Sequence, residues 1–159
     1  MRLEADELAG VVDLFGAMAR AELAEAVREL AFRRGEDFDA DAHAAGVEAA
    51  VATYHLAVVD LPDTDRDESV VVGPAAFPTL PEHGQDLPHI VDIPDCTVDR
   101  AVVGRQVEER LRRDAAQAVA AEDTDRIQTL LDASYDLEAW APVTVEDVRD
   151  RLTSALDGT

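Results

Sequence analysis

YHLAVVDLPDTDRDESVVVG, residues 54–73, is the stretch whose reading decides the fold. It opens on an apolar run, 54–61, and closes on a second, 69–73, with the proline- and acid-rich PDTDRDES between them. Short apolar runs rich in valine and bounded by turn residues read as strands, and two of them joined this way read as a hairpin.

Upstream the apolar residues follow a longer period. Leu8, Val11, Val12 and Phe15 recur at intervals of three and four, which predicts a helix over 6–18, with Gly16 helping the chain to turn. Leu23, Val27, Leu30 and Ala31 mark a second helix over 19–34. Gly35 stands where a left-handed cap is wanted, and Arg33 and Arg34 suit the negative end of the helix dipole. The acidic segment EDFDAD caps a third helix over 41–54, in which Val47, Val51 and Tyr54 continue the stripe begun by Phe38. Three short helices followed by a hairpin is the element order of a winged helix, so a winged-helix-like unit is expected over residues 1–75.

Downstream, Pro74, Pro78, Pro81, Pro88 and Pro94 are incompatible with a helix and discourage interior strands. Residues 76–96 are therefore expected to form a proline-rich connector, with a short strand at 90–93. Thr97 offers a cap for a long helix over 98–121, along which Val103, Val107, Leu111, Ala115 and Ala118 align. Another helix is expected over 124–134, carrying Ile127, Leu130 and Leu131. After Trp140 and Pro142, Thr144 caps the last helix, with Val148, Leu152 and Leu156 facing inward and Gly158 ending it. The fold class is mainly α (α+β), with C-terminal helices over 97–159.

All fourteen basic side chains are arginine and none is lysine, against 35 aspartates and glutamates, for a net charge of −21. Such a coat destabilises a compact chain by self-repulsion at a Debye length of about 8 Å, and hardly does so at the roughly 3 Å of molar salt. A GC-rich genome also favours Arg, Ala, Val and Asp, and the chain has no Asn and only three Ile. Codon bias does not explain the excess of acids over bases. The composition is similar to that of haloarchaeal cytosolic proteins, and residues 8–35 resemble a small uncharacterised family from those organisms. The resemblance implies an intracellular protein in concentrated potassium salt and implies no activity.

Cys96, the single cysteine, excludes an internal disulfide framework and fits a reducing compartment. MRLEADEL has no apolar signal core, and no apolar run approaches the ~20 residues of a membrane span, so a cytoplasmic location without membrane contact is expected.

The candidate functions are ranked by their residues. A winged helix reads DNA through Arg, Lys, Asn or Gln on its third helix. Residues 41–54 have none of these, and residues 1–75 hold six Arg against seventeen acids, so nucleic acid is disfavoured by charge. If DNA were bound, Arg66 in the acidic turn and Arg112 in the long helix would be its contacts. The cluster Arg105, Arg110, Arg112 and Arg113 reads better as a solvated face in which Glu108 pairs with Arg112 and Glu109 with Arg113. His83, His89, Asp92 and Cys96 fall in one stretch and are the candidate metal ligands, but their spacing matches no paired motif. No G-x-S-x-G elbow or phosphate loop is present, the absence of lysine excludes Schiff-base chemistry, and the sequence calls for no cofactor. His43 and His55 read as structural. Trp140, the only Trp, is the candidate interaction residue, or else closes the C-terminal core. The expectation is a non-enzymatic protein-interaction or accessory module, with a protein partner or self-association. The alternatives are a winged-helix DNA-binding transcriptional regulator and a small metal-binding protein or enzyme.

Overall fold

A computed structural model describes residues 1–62, 64 and 66–158; Asp63 and Asp65, in the acidic turn between the two strands, lie outside the described residues. The chain divides into two compact units, Met1–Val98 and Asp99–Thr159.

In the first unit, α1 (Ala5–Phe15) starts at Glu4, whose backbone N–H donates to the Glu7 carboxylate at 3.0 Å. It ends at Gly16, whose φ of 83° favours glycine. A side chain there would collide with the backbone of Cys96, because a Cβ would stand 1.8 Å from the Cys96 carbonyl oxygen. This break ends the helix before residue 18, where the sequence pattern would have carried it. Ala17–Met18 instead form a short strand, β1, both residues fully buried. Two residues are too few to show strand alternation, so β1 left no periodic trace.

The remaining elements follow the pattern closely. α2 (Arg20–Arg34) opens with Glu22 accepting from the Ala19 N–H at 2.8 Å and closes on Gly35 in the left-handed conformation. α3 (Ala40–Ala52) is capped by Asp39, which accepts from the Asp41 and Ala42 N–H groups. β2 (Leu56–Val59) and β3 (Ser69–Val72) pair antiparallel, with Ala57 opposite Val71. β1 adds to the other side of β3 through Ala17 opposite Val71, giving the order β1-β3-β2. Valine-rich β3 is central, which is why three of its four residues are buried.

The proline-rich segment belongs to this unit and is not a connector between two. Its backbone is anchored on α1: the Thr79 N–H donates to the Asp6 carbonyl at 2.9 Å and the Phe77 N–H to the Asp6 carboxylate at 3.1 Å. Gly10 lets the two backbones touch. Further along, Leu87, Val91 and Ile93 enter the core beside Leu8, Phe15 and Leu30. Residues 90–93 are not a strand. A 3₁₀ turn (Gly84–Asp86) leads into the single helical turn α4 (Leu87–Ile90), where Pro88 sits in the first turn and lacks an N–H that would be unpaired there anyway.

The second unit packs three helices against one another, α5 (Arg100–Ala120), α6 (Thr124–Trp140) and α7 (Glu146–Asp157). α5 is capped by Asp99, two residues beyond the expected Thr97. α6 runs on past the expected end at 134, because Leu137 extends the buried stripe of Ile127, Leu130 and Ala133. Trp140 is thus the last residue of a helix and not part of a loop. At α7 the residue in the cap position is Val145, not Thr144, and its N–H donates to Glu138 of α6 at 2.8 Å. No helix among the described residues is long and apolar enough to cross a membrane.

Candidate functional site

The first unit carries a groove between α2 and α3 of about 260 Å³, lined chiefly by Ala21, Ala24, Phe38, Ala44 and Val47 with Arg20 and Arg28 along its edge. Small side chains on both helices leave the space open. The Arg28 guanidinium lies over the Phe38 ring, 5.0 Å from its centroid, and the Phe38 ring is 5.4 Å from that of His43. Burial, and then the nearby Arg28 charge, hold the His43 imidazole below its ordinary value. Arg20, at the opposite end, is held by Glu48 and, at 3.7 Å, by Glu68.

The outward face of α3 is made of Asp41, Ala42, Ala44, Ala45, Glu48 and Ala49, all exposed. It presents two carboxylates and methyl groups and carries no side-chain donor for a base edge.

A second cavity, about 560 Å³, opens where α1 begins and α3 ends, and here the fold gathers Asp6, Thr53 and His55. The Thr53 hydroxyl is 2.7 Å from His55 Nδ1, and His55 Nε2 is 3.8 Å from the Asp6 carboxylate. A hydroxyl, imidazole and carboxylate in a row resemble a nucleophile and its base, but the Thr53 hydroxyl also faces two backbone carbonyls. It lies 3.0 Å from the Ala49 carbonyl and 3.3 Å from the Ala50 carbonyl, so its single proton has backbone acceptors besides the His55 ring. The trio ties three elements together; only the topology reveals it, since Asp6 is 47 residues from Thr53.

The two arginines expected to touch DNA are engaged within the chain. Arg66 Nε pairs with Glu22 at 2.9 Å with little of either side chain exposed. Arg112 bridges Glu108 at 3.1 Å, as its spacing predicts, and Asp147 of α7 at 2.7 Å. The pairing with Arg112 holds the Asp147 carboxyl below the usual range and raises the Arg112 guanidinium. His83, His89, Asp92 and Cys96 are not brought together: His89 and Asp92 point to solvent, and among the described residues no three His, Cys, Asp or Glu side chains form a cluster fit for a metal. Trp140 is half-buried beneath Arg100, whose guanidinium lies 4.4 Å from the ring centroid and also donates to the Trp140 carbonyl at 2.9 Å. The exposed aromatics are elsewhere, at Phe32, Phe77 and Tyr135.

A model of a family of unknown function, DUF7109, matches residues 6–157. This chain belongs to that family. No curated protein and no solved structure matches it. The DUF7109 match reaches into both compact units of this chain.

Proposed function

We propose that this DUF7109 protein is a non-enzymatic protein-interaction module, built on a winged-helix scaffold and working in concentrated salt inside the cell. The order α1-β1-α2-α3-β2-β3, with β1 completing a β1-β3-β2 sheet, is the connectivity expected of a winged helix. The observation that carries the interaction reading is the outward face of α3. In a DNA reader that face supplies donors to base edges, whereas here it supplies Asp41, Glu48 and four alanines. The unit around it holds six Arg against twenty-one acids, so the phosphate backbone meets a repulsive surface. A face of methyl groups beside an apolar groove suits a protein partner, and excluded salts strengthen apolar contacts of this kind.

The second reading, a DNA-binding regulator, rests on the same connectivity. Fluorescence anisotropy with labelled random-sequence duplex DNA separates the two, titrated at molar KCl and again at about 0.2 M, where phosphate contacts strengthen. The interaction reading predicts no saturable binding in either. Saturable binding that weakens linearly with the logarithm of salt concentration would overturn it in favour of the regulator.

A further inference from the structure

Phe32 is 79 % exposed in the last turn of a helix whose other large apolar residues are buried, and it is not isolated. At 3.6 residues per turn, Ala21, Glu25, Arg28 and Phe32 fall within an arc of about 60° on the outer side of α2. All four are exposed. Arg20, Arg33, Arg34 and Arg66 of the same unit are each in an ion pair. Among the described residues neither Glu25 nor Arg28 is in one, although the chain holds 35 acids. An arginine and a glutamate outside any such ion pair and a solvated phenylalanine thus share one stripe.

The stripe completes itself when turned around. The pair Ala21 and Phe32 and the pair Glu25 and Arg28 share one midpoint, between Ala26 and Val27. A second copy of α2 laid antiparallel across that point sets its Phe32 over Ala21 and its Arg28 against Glu25, and by the same two-fold axis the reciprocal contacts form. The large side chain meets the smallest and each charge meets its opposite. Ala21 is also the end of the α2–α3 groove, where Ala24, Ala44 and Val47 give an incoming ring an apolar seat. We propose that α2 is an isologous docking surface and that its partner is a second copy of this chain. This deepens the interaction reading and names its partner. Two chains of −21 repel one another in dilute buffer and cease to do so when the Debye length falls to about 3 Å, so the contact forms in molar salt and opens on dilution.

The test is sedimentation equilibrium of the full chain in molar KCl, with circular dichroism to show that each variant is folded. The wild type is expected to be a dimer that dissociates as KCl is lowered. Phe32→Ala and Glu25→Arg are each expected to weaken it by at least about tenfold, the scale of one lost buried aromatic or one reversed pair. The double variant Glu25→Arg/Arg28→Glu restores the cross-pairing and recovers most of the affinity lost by Glu25→Arg, a rescue that a merely structural role does not produce. A monomer at every concentration, a dimer indifferent to Phe32→Ala, or a double variant no tighter than Glu25→Arg would each overturn the proposal. A monomer that also ignores DNA removes the self-docking alone and leaves the wider interaction reading in place. A Phe32-dependent dimer that binds DNA upholds the α2 contact and removes the wider reading.

Discussion

Gly10→Ala sets two well-measured effects against each other, and the structure decides the sign. In the interior of a helix, alanine for glycine gains about 0.5–1 kcal/mol from backbone entropy alone. At Gly10 the new Cβ would lie 2.1 Å from the Thr79 carbonyl oxygen and 2.5 Å from its carbon. Both are backbone atoms, which cannot rotate aside. Overpacking of this kind costs about 1–3 kcal/mol. Pushing residues 77–80 outward also strains the hydrogen bonds from Thr79 and Phe77 to Asp6, each worth roughly 0.5–1.5 kcal/mol. The net expectation is a loss of about 1–3 kcal/mol. Gly46 of α3 is the control: its Cβ would meet nothing within 4 Å, so Gly46→Ala should gain the entropic term unopposed. Urea unfolding of both variants in molar KCl reads the comparison directly. If Gly10→Ala stabilises as Gly46→Ala does, the proline-rich segment does not lie on α1, and its assignment to the first unit is wrong.

Three further outcomes follow from individual groups. The His43 imidazole is held below its ordinary value of 6.5, so below that pH the unfolded chain binds the proton more readily. Stability contributed by His43 is therefore present above about pH 6.5 and declines as pH falls, and His43→Gln should flatten the change in urea midpoint between about pH 7.5 and pH 5.5. Glu138 is held below its ordinary value by the Val145 N–H and then by Arg149, so its contribution is full above the usual carboxylate range and fades as pH falls through the folded value. Glu138→Gln should lower stability by about 1 kcal/mol at neutral pH and steepen no further in acid, read by the same melts. Ser69 is 1 % exposed and its hydroxyl has no hydrogen-bond partner among the described residues, so Ser69→Ala should leave stability unchanged or raise it by up to about 1 kcal/mol, read from the urea midpoint.

What could be read in advance is what periodicity encodes. The apolar spacing of Leu8 to Phe15 and of Leu23 to Ala31, the Gly35 cap and the two valine-rich runs all correspond to elements of the structure. β1 escaped because Ala17 and Met18 are too few to alternate, and the packing of 76–96 escaped because proline reports only what a backbone avoids. Leu87, Val91 and Ile93 were visible as apolar residues, yet nothing local said which surface they would cover. The acid-and-alanine character of α3 was plain from residues 41–49. The ion pairs were not: Arg66 chooses Glu22, 44 residues away, from a chain full of carboxylates, and only the fold makes that choice. The groove and the outer stripe of α2 depend on which alanines are left uncovered, again a property of the assembled unit.

On the proposed reading, salt and not a bound ligand makes the charge of −21 tolerable. The most direct measurement is the thermal midpoint of the purified chain as KCl is raised from about 0.1 M to several molar, a range over which the Debye length shrinks from about 10 Å to below 3 Å. The midpoint is expected to climb steadily with KCl as carboxylate repulsion is screened. A chain that is fully folded in dilute buffer and melts there at the same temperature, or a higher one, would contradict that reading.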